Sequence, residues 1–312
     1  MAAVLLACLT GLVLGGLNVS SHAAVRRTGD VRAGATAMTA VALVVAVVAA
    51  LAVGVHRADL RPGQVWPFLA IGAVVPGVTQ VLALEALDRA GPSRSAIVFG
   101  TAPLLSAVLA IALLDEPVRA PLLVGAALVV LGGTAIALER RRPGSFQRIG
   151  LVLAGITALL IAGRDVATRW ALGHTQAPPV VQTATLLLAA TASLLVLLAL
   201  DRRGGAPGPR LRTAALPFLP VGLLVGGAYV ALLEAFEHGP VGVVSPLYAT
   251  SVLWTVVLSA AFLRTDRIRP RVVLAALLVV GGAALIGATR GSGDDPDGRS
   301  APRPGIVDRE QP

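Results

Sequence analysis

Apolar positions in this chain run in long blocks separated by short charged or Gly-Pro turns, without the two-residue alternation of half-buried strands. Each block approaches the ~20 residues a helix needs to cross a bilayer, so the pattern predicts membrane-spanning helices and excludes a barrel of short alternating strands. Ten spans are predicted, at 1–18, 33–55, 65–87, 95–114, 121–138, 149–172, 179–200, 216–236, 241–263 and 272–288. Span three carries Pro67, Pro76 and Gly77, which predict a bend that neighbouring helices must repair, because proline has no backbone donor. Span one can also be read as a secretory leader ending near His22-Ala23-Ala24, but it lacks a positively charged leading segment. Residues 291–312 are rich in Gly, Pro, Asp and Arg, with almost nothing apolar, and are expected to be disordered.

The pattern occurs twice. Glu85 and Asp88 fall on Glu234 and Glu237 at a shift of 149, Gly91-Pro92 falls on Gly239-Pro240 at 148, and Gly132-Gly133 falls on Gly281-Gly282 at 149. Span six aligns with span one at 147, with Thr10 on Thr157, Gly16 on Gly163 and Asn18 on Asp165. The repeat therefore covers five spans, and because five is odd the second copy enters from the opposite face. The expected fold is all-α and integral to the membrane, with ten helices as two inverted five-helix repeats, an arrangement that suits alternating access. The expected organisation is a first repeat at 1–139, a linker at 140–148, a second repeat at 149–290 and the tail.

Composition agrees: 55% of residues are hydrophobic and 14% charged, against roughly a quarter charged in an average soluble domain. The only cysteine, Cys8, lies in an apolar run, so no disulfide can form within the chain. The formal charge of +9 comes entirely from arginine, spread between spans and not gathered into a nucleic-acid patch. Of the 26 arginines, 17 lie in the links after spans one, three, five, seven and nine. The positive-inside rule then places both termini outside the cytoplasm.

Several short motifs, in order and in duplicate, resemble a known family. They are Gly16-Leu17-Asn18 late in span one, Ala86-Leu87 before Gly91-Pro92-Ser93, Pro103 in span four, and Asp115-Glu116 followed by Leu123-Val124-Gly125-Ala126-Ala127 and Gly132-Gly133. The second copy repeats the pattern as Ser245-Pro246-Leu247-Tyr248 and Gly281-Gly282. Over nearly the whole chain except the tail, the sequence resembles the drug/metabolite transporter superfamily built from two EamA domains. Two positions depart from it: Val252 stands near where the first copy has Pro103, and Thr265-Asp266 replaces the acidic turn. The resemblance implies ten helices and both termini in the cytoplasm, against the arginine count.

Three groups of residues are candidates for the chemistry. Arg164, Asp165 and Arg169 put charge inside span six, roughly 23 Å along it at 1.5 Å per residue. Such charges cost several kcal/mol unless paired or facing water. Asp165 and Arg169, four apart, can pair on one helix face. With Asn18 at the equivalent place in the first copy, they can polarise a central cavity for a charged or zwitterionic substrate. The competing reading is an intrahelical pair snorkelling to the interface beside Trp170. Glu85 and Glu234 form a symmetric pair near the ends of their spans. A dry cavity would favour their protonated forms, as a proton-coupled carrier requires; otherwise, with Asp88 and Glu237, they cap helices before the turns. Gln80 and Tyr229 align one turn inward and can reach a ligand or a neighbouring helix, and Trp254 and Thr255 can line the path or pack. Gly132-Gly133, Gly226-Gly227 and Gly281-Gly282 are read as close helix contacts.

His22, His56, His174 and His238 lack metal spacing, and no nucleotide-binding loop, zinc motif or nucleophile elbow occurs. The expectation is therefore a multi-pass carrier of the cell membrane, not an enzyme, without cofactor, metal or nucleic-acid partner. Its expected partners are the bilayer, a small polar organic solute and protons, and its expected state is a monomer or homodimer. A non-transporting scaffold or sensor is the alternative.

Overall fold

The computed structural model describes residues 2–55, 60–114, 147–172, 174–176, 178–201, 205–238, 251–262 and 270–291, with six further positions between 124 and 132. The turns at 115–116 and 239–240, most of span five and the tail after 291 lie outside the described residues. The described elements are all helical. They are α1 (Ala2–Thr28), α2 (Val31–Val53), α3 (Pro62–Gly72), a π-helical segment (Ala73–Val78), α4 (Thr79–Ala90), α5 (Pro92–Phe99), α6 (Ala102–Leu114), α7 (Arg148–Leu172), α8 (Pro179–Leu200), α9 (Pro207–His238), α10 (Ser251–Phe262) and α11 (Pro270–Gly291). Val31–Val53, Pro62–Ala90, Arg148–Thr168, Pro179–Leu200 and Pro207–Val230 are long and apolar enough to cross a bilayer.

Local chemistry sets the ends. Asp30 caps α2 by accepting the Ala33 N–H at 3.0 Å, and proline opens α3, α5 and α8, where its missing donor costs nothing. Gly91, between α4 and α5, sits at φ 86°, a conformation that L side chains rarely adopt, so the Gly-Pro turn needs its glycine. The predicted bend in span three is present: Val75 leaves the helical region (φ −133°, ψ 112°) just ahead of Pro76. Thr79 Oγ1 donates to the Val74 carbonyl at 2.8 Å across the break, and so partners an acceptor there.

Three boundaries differ most from expectation, one of them the start of α9, at Pro207 and not at 216. Helix α1 continues ten residues past Asn18 to Thr28; along this stretch the Ser20 and Thr28 hydroxyls donate to the Gly16 and Ala24 carbonyls, and His22 Nδ1 bonds the Leu87 carbonyl of α4. The polar link predicted there shrinks to Gly29 and Asp30. Span four is interrupted at Gly100-Thr101, where Thr101 Oγ1 takes the Val98 carbonyl at 2.7 Å.

Packing between the halves recurs with the halves exchanged. Helix α1 packs on α9 and α10 of the second half, and α7, its repeat mate, packs on α4, α5 and α6 of the first. Helix α2 packs on α9, and its mate α8 on α3 and the π segment, while α2 and α8 pack on each other. The same exchange holds for single residues. A Cβ on Gly72 would collide with the Leu186 backbone, and a Cβ on Gly222 would come within 2.7 Å of the Met38 carbonyl; Leu186 follows Met38 by 148 positions and Gly222 follows Gly72 by 150. Gly226 and Gly132 are close-contact glycines as expected, whereas nothing lies within 4 Å of a Cβ on Gly227 or Gly281.

Contacts between links fix the helix directions. Asp30, between α1 and α2, and Asp201, at the end of α8, share Arg210, and near the start of α7 the Gln147 N–H donates to the Arg89 carbonyl at 2.7 Å. At the other end of the bundle, the Gln176 N–H donates to Gln64 Oε1 at 2.5 Å, Trp66 meets Trp170 edge to face with ring centroids 5.8 Å apart, and His174 stacks on Trp170 at 4.5 Å. Helix α1 therefore arrives at the end from which α7 departs. One large apolar cluster joins α1, α2, α3, α4, α7, α8 and α9, and a smaller one joins α5, α10 and α11 around Ile97, Val256 and Val279.

Candidate functional site

Most polar side chains buried in the bundle are serines and threonines, and two of the expected groups lie at equivalent crossings. At the first crossing, α1 meets α10. Gly15 lets the helices touch, since a Cβ there would stand 2.5 Å from the Trp254 Cβ and 2.9 Å from the Thr255 nitrogen. One turn later Asn18 Nδ2 donates to Thr255 Oγ1 at 3.0 Å, and the hydroxyl of Thr255, fully buried, donates in turn to the Ser251 carbonyl at 2.8 Å. Asn18 is therefore engaged by the second half. Trp254 is 39% exposed.

At the equivalent crossing α7 meets α6. Here Asp165 takes both of its hydrogen bonds from its neighbour Arg164, on one oxygen: Nε donates to Oδ1 at 3.1 Å and Nη2 to the same atom at 2.8 Å. The Asp165 side chain is 38% exposed, and its Oδ2 accepts nothing among the described residues. The partner described is the adjacent residue; the side chain of Arg169, the i,i+4 partner that the spacing suggested, lies outside the described residues. Asp165 stands five residues before Trp170, about 8 Å along the helix, so the pair lies past the middle of α7, about midway between its centre and the Trp66–Trp170 end.

The remaining candidates disperse. Glu85 is held by Arg89, one turn on, with Nε–Oε2 2.6 Å, and Arg89 also donates to Gln147 Oε1 at 3.2 Å. That is a partly exposed ion pair at the bundle end and not a carboxyl in a dry cavity, because its own helix supplies the counter-charge. Gln80 approaches the Met38 sulfur at 3.6 Å, and Tyr229 packs half-buried against the large apolar cluster. The Glu234 side chain lies outside the described residues, so the symmetric comparison with Glu85 does too.

Sequence reasoning missed two features. Arg94, at the start of α5 between Ser93 and Ser95, is fully buried, although a basic residue after a Gly-Pro turn reads as a surface residue. The other is a four-charge network across the halves. Arg210 donates from Nε to Asp30 Oδ2 at 2.6 Å and from Nη2 to Asp30 Oδ1 at 2.9 Å and Asp201 Oδ2 at 3.0 Å, and Arg32 meets Asp201 Oδ1 at 2.9 Å. The Arg210 hydrogen bonds hold the Asp30 carboxyl below the usual aspartate range. Thr28, Asp30, Arg210, Thr213 and Ala214 line a cavity of about 130 Å³ there. The only local signal was Asp30 as an N-cap; its partners lie about 170 to 180 residues away.

Comparison with known proteins agrees with this architecture. A solved structure described as "Crystal structure of protein" is 25% identical, covers 92% of this chain and 97% of its own, and superposes with a TM-score of 0.57. No curated protein matches the chain. The EamA-like transporter family matches twice in tandem, over residues 1–138 and 142–288, which together take in the helices and crossings described above. The chain belongs to the EamA-like transporter family and is a multi-pass membrane transporter of small molecules.

Proposed function

We propose that this protein is a secondary active transporter that moves a small polar organic solute, such as an amino acid or related metabolite, by alternating access between two inverted five-helix repeats. The proposed units are residues 1–139 and 149–290, joined by 140–148. The observation that carries the reading is the exchange of inter-half contacts. A bundle in which α1 packs on the second half as α7 packs on the first has two near-equivalent arrangements, which a solute pathway between the halves can use in turn. Asp165 and Arg164 supply opposite charges inside an apolar span, with Asp165 exposed enough to meet a solute, and they suit a zwitterion with an ammonium on the carboxylate and a carboxylate near the guanidinium. Coupling to protons is assigned to Asp165 in preference to Glu85: each carboxylate has an arginine partner, but Asp165 lies inside a span and is the more exposed, at 38% against 28%.

The test starts from metabolite levels in cells with and without the gene, followed by uptake of the candidates into liposomes containing purified protein, with and without a pH gradient. Gradient-driven uptake of a polar solute that Asp165→Asn abolishes is the expected result. Uptake that persists unchanged when Glu85, Asp165 and Glu234 all become amides would remove proton coupling. Absence of any gene-dependent solute and of any uptake would favour a scaffold or sensor.

A further inference from the structure

Resting on the transporter reading, the two equivalent crossings suggest which polar contacts alternate. Ser106 precedes Thr255 by 149 positions, and Asp165 follows Asn18 by 147, the shifts that align the surrounding spans. The α6–α7 pair of Ser106 and Asp165 is thus the repeat image of the α1–α10 pair of Thr255 and Asn18. One image is bonded, with Asn18 Nδ2 to Thr255 Oγ1 at 3.0 Å. The other is not: Ser106 is fully buried with its hydroxyl oxygen unpartnered, and Asp165 leaves Oδ2 unused among the described residues. A buried hydroxyl without a partner is costly and rare in native structures, so an orphan at this position calls for a reason. Steric fit does not separate the crossings. Gly15 and Thr255 become Ala162 and Ser106, which moves one methyl group from the α10 partner to the α7 partner and conserves the volume.

We propose that Ser106 is a positioning residue whose partner is Asp165 in the opposite conformation, with Ser106 Oγ donating to Asp165 Oδ2 when the Asn18–Thr255 bond opens. One arrangement bonds Asn18 to Thr255 and leaves Asp165 available to solute; the other bonds Ser106 to Asp165 and withdraws it. Because Asp replaces Asn in one image, the exchange also changes the surroundings of a carboxylate, which couples solute or proton occupancy at Asp165 to the state of both crossings.

The experiment uses full-length protein in liposomes, with Cys8→Ala as background and cysteine pairs at Asn18/Thr255 and at Ser106/Asp165, treated with a short bifunctional methanethiosulfonate. Each pair should cross-link alone, and a chain carrying all four cysteines should accept one bridge and not both, leaving two free thiols by maleimide-polymer mass shift. A second measurement avoids substituting Asp165 by cysteine: Ser106→Thr with Asp165→Asn copies the Asn18–Thr255 chemistry onto α6–α7. It should slow bridging of the Asn18/Thr255 cysteines about fivefold, the population shift that one ordinary hydrogen bond makes. Both bridges in one chain, or no bridge at Ser106/Asp165 with an unchanged bridging rate in the copied background, would overturn the proposal. Mutually exclusive bridges in a protein that carries no solute would uphold the exchange and overturn only the transport reading.

Discussion

Replacing Arg210 with alanine removes the hub of the network that joins the two halves at one end of the bundle. The side chain makes three charge-assisted bonds of 2.6, 2.9 and 3.0 Å to Asp30 and Asp201 and is 10% exposed. Without it, two carboxylates face each other beside Arg32, which is 47% exposed. Breaking a fully buried ion pair from one side costs about 3–5 kcal/mol. Water reaches this network, so the expected loss is about 2–4 kcal/mol. At about 2–4 °C per kcal/mol for a chain of this size class, the melting temperature should fall by roughly 5–10 °C. The assay is thermal unfolding in detergent, followed by the fluorescence of the three tryptophans. Asp30→Asn is the companion variant, since asparagine keeps the cap on α2 and loses only the charge. The two substitutions should be non-additive by about 1 kcal/mol or more, because they delete the same bonds. An Arg210→Ala protein melting within a degree of the parent, or a strictly additive pair, would refute the claim that this network ties the halves together.

The same network sets an acid response. The folded Asp30 carboxyl is held below its ordinary value of about 3.9, so its contribution is complete above that value and is lost as pH falls through the folded one. The parent should therefore lose stability below about pH 5 more steeply than Asp30→Asn, measured by melting temperature against pH. Gly72→Ala and Gly222→Ala should each destabilise by about 1–3 kcal/mol, because the new methyl meets backbone atoms of the facing helix. Gly227→Ala, with open space around it, should instead be neutral or gain up to about 1 kcal/mol from helix propensity. Gly15→Leu should push α1 off α10 and break the Asn18–Thr255 bond, which the cross-linking yield at that pair would register as a loss.

The chain's own pattern determined the helical class, the bend at Pro76 and the doubling of the unit, because span length, proline and repeat register are properties of consecutive residues. Contact glycines were readable as a type, but which of them touch was not: Gly226 meets Val45, whereas its neighbour Gly227 meets nothing. Charge placement was legible only where both partners are local. Arg164 and Asp165 lie side by side in the chain, yet spacing pointed to Arg169, and it took the rotamer of Arg164 to bring its guanidinium onto Oδ1. Asp30 with Arg210, Asn18 with Thr255 and the burial of Arg94 depend on helices packing across the halves. Nothing in 170 to 240 residues of intervening sequence encodes those meetings except the fold, because a helix presents its polar residues to whichever neighbour the apolar faces select.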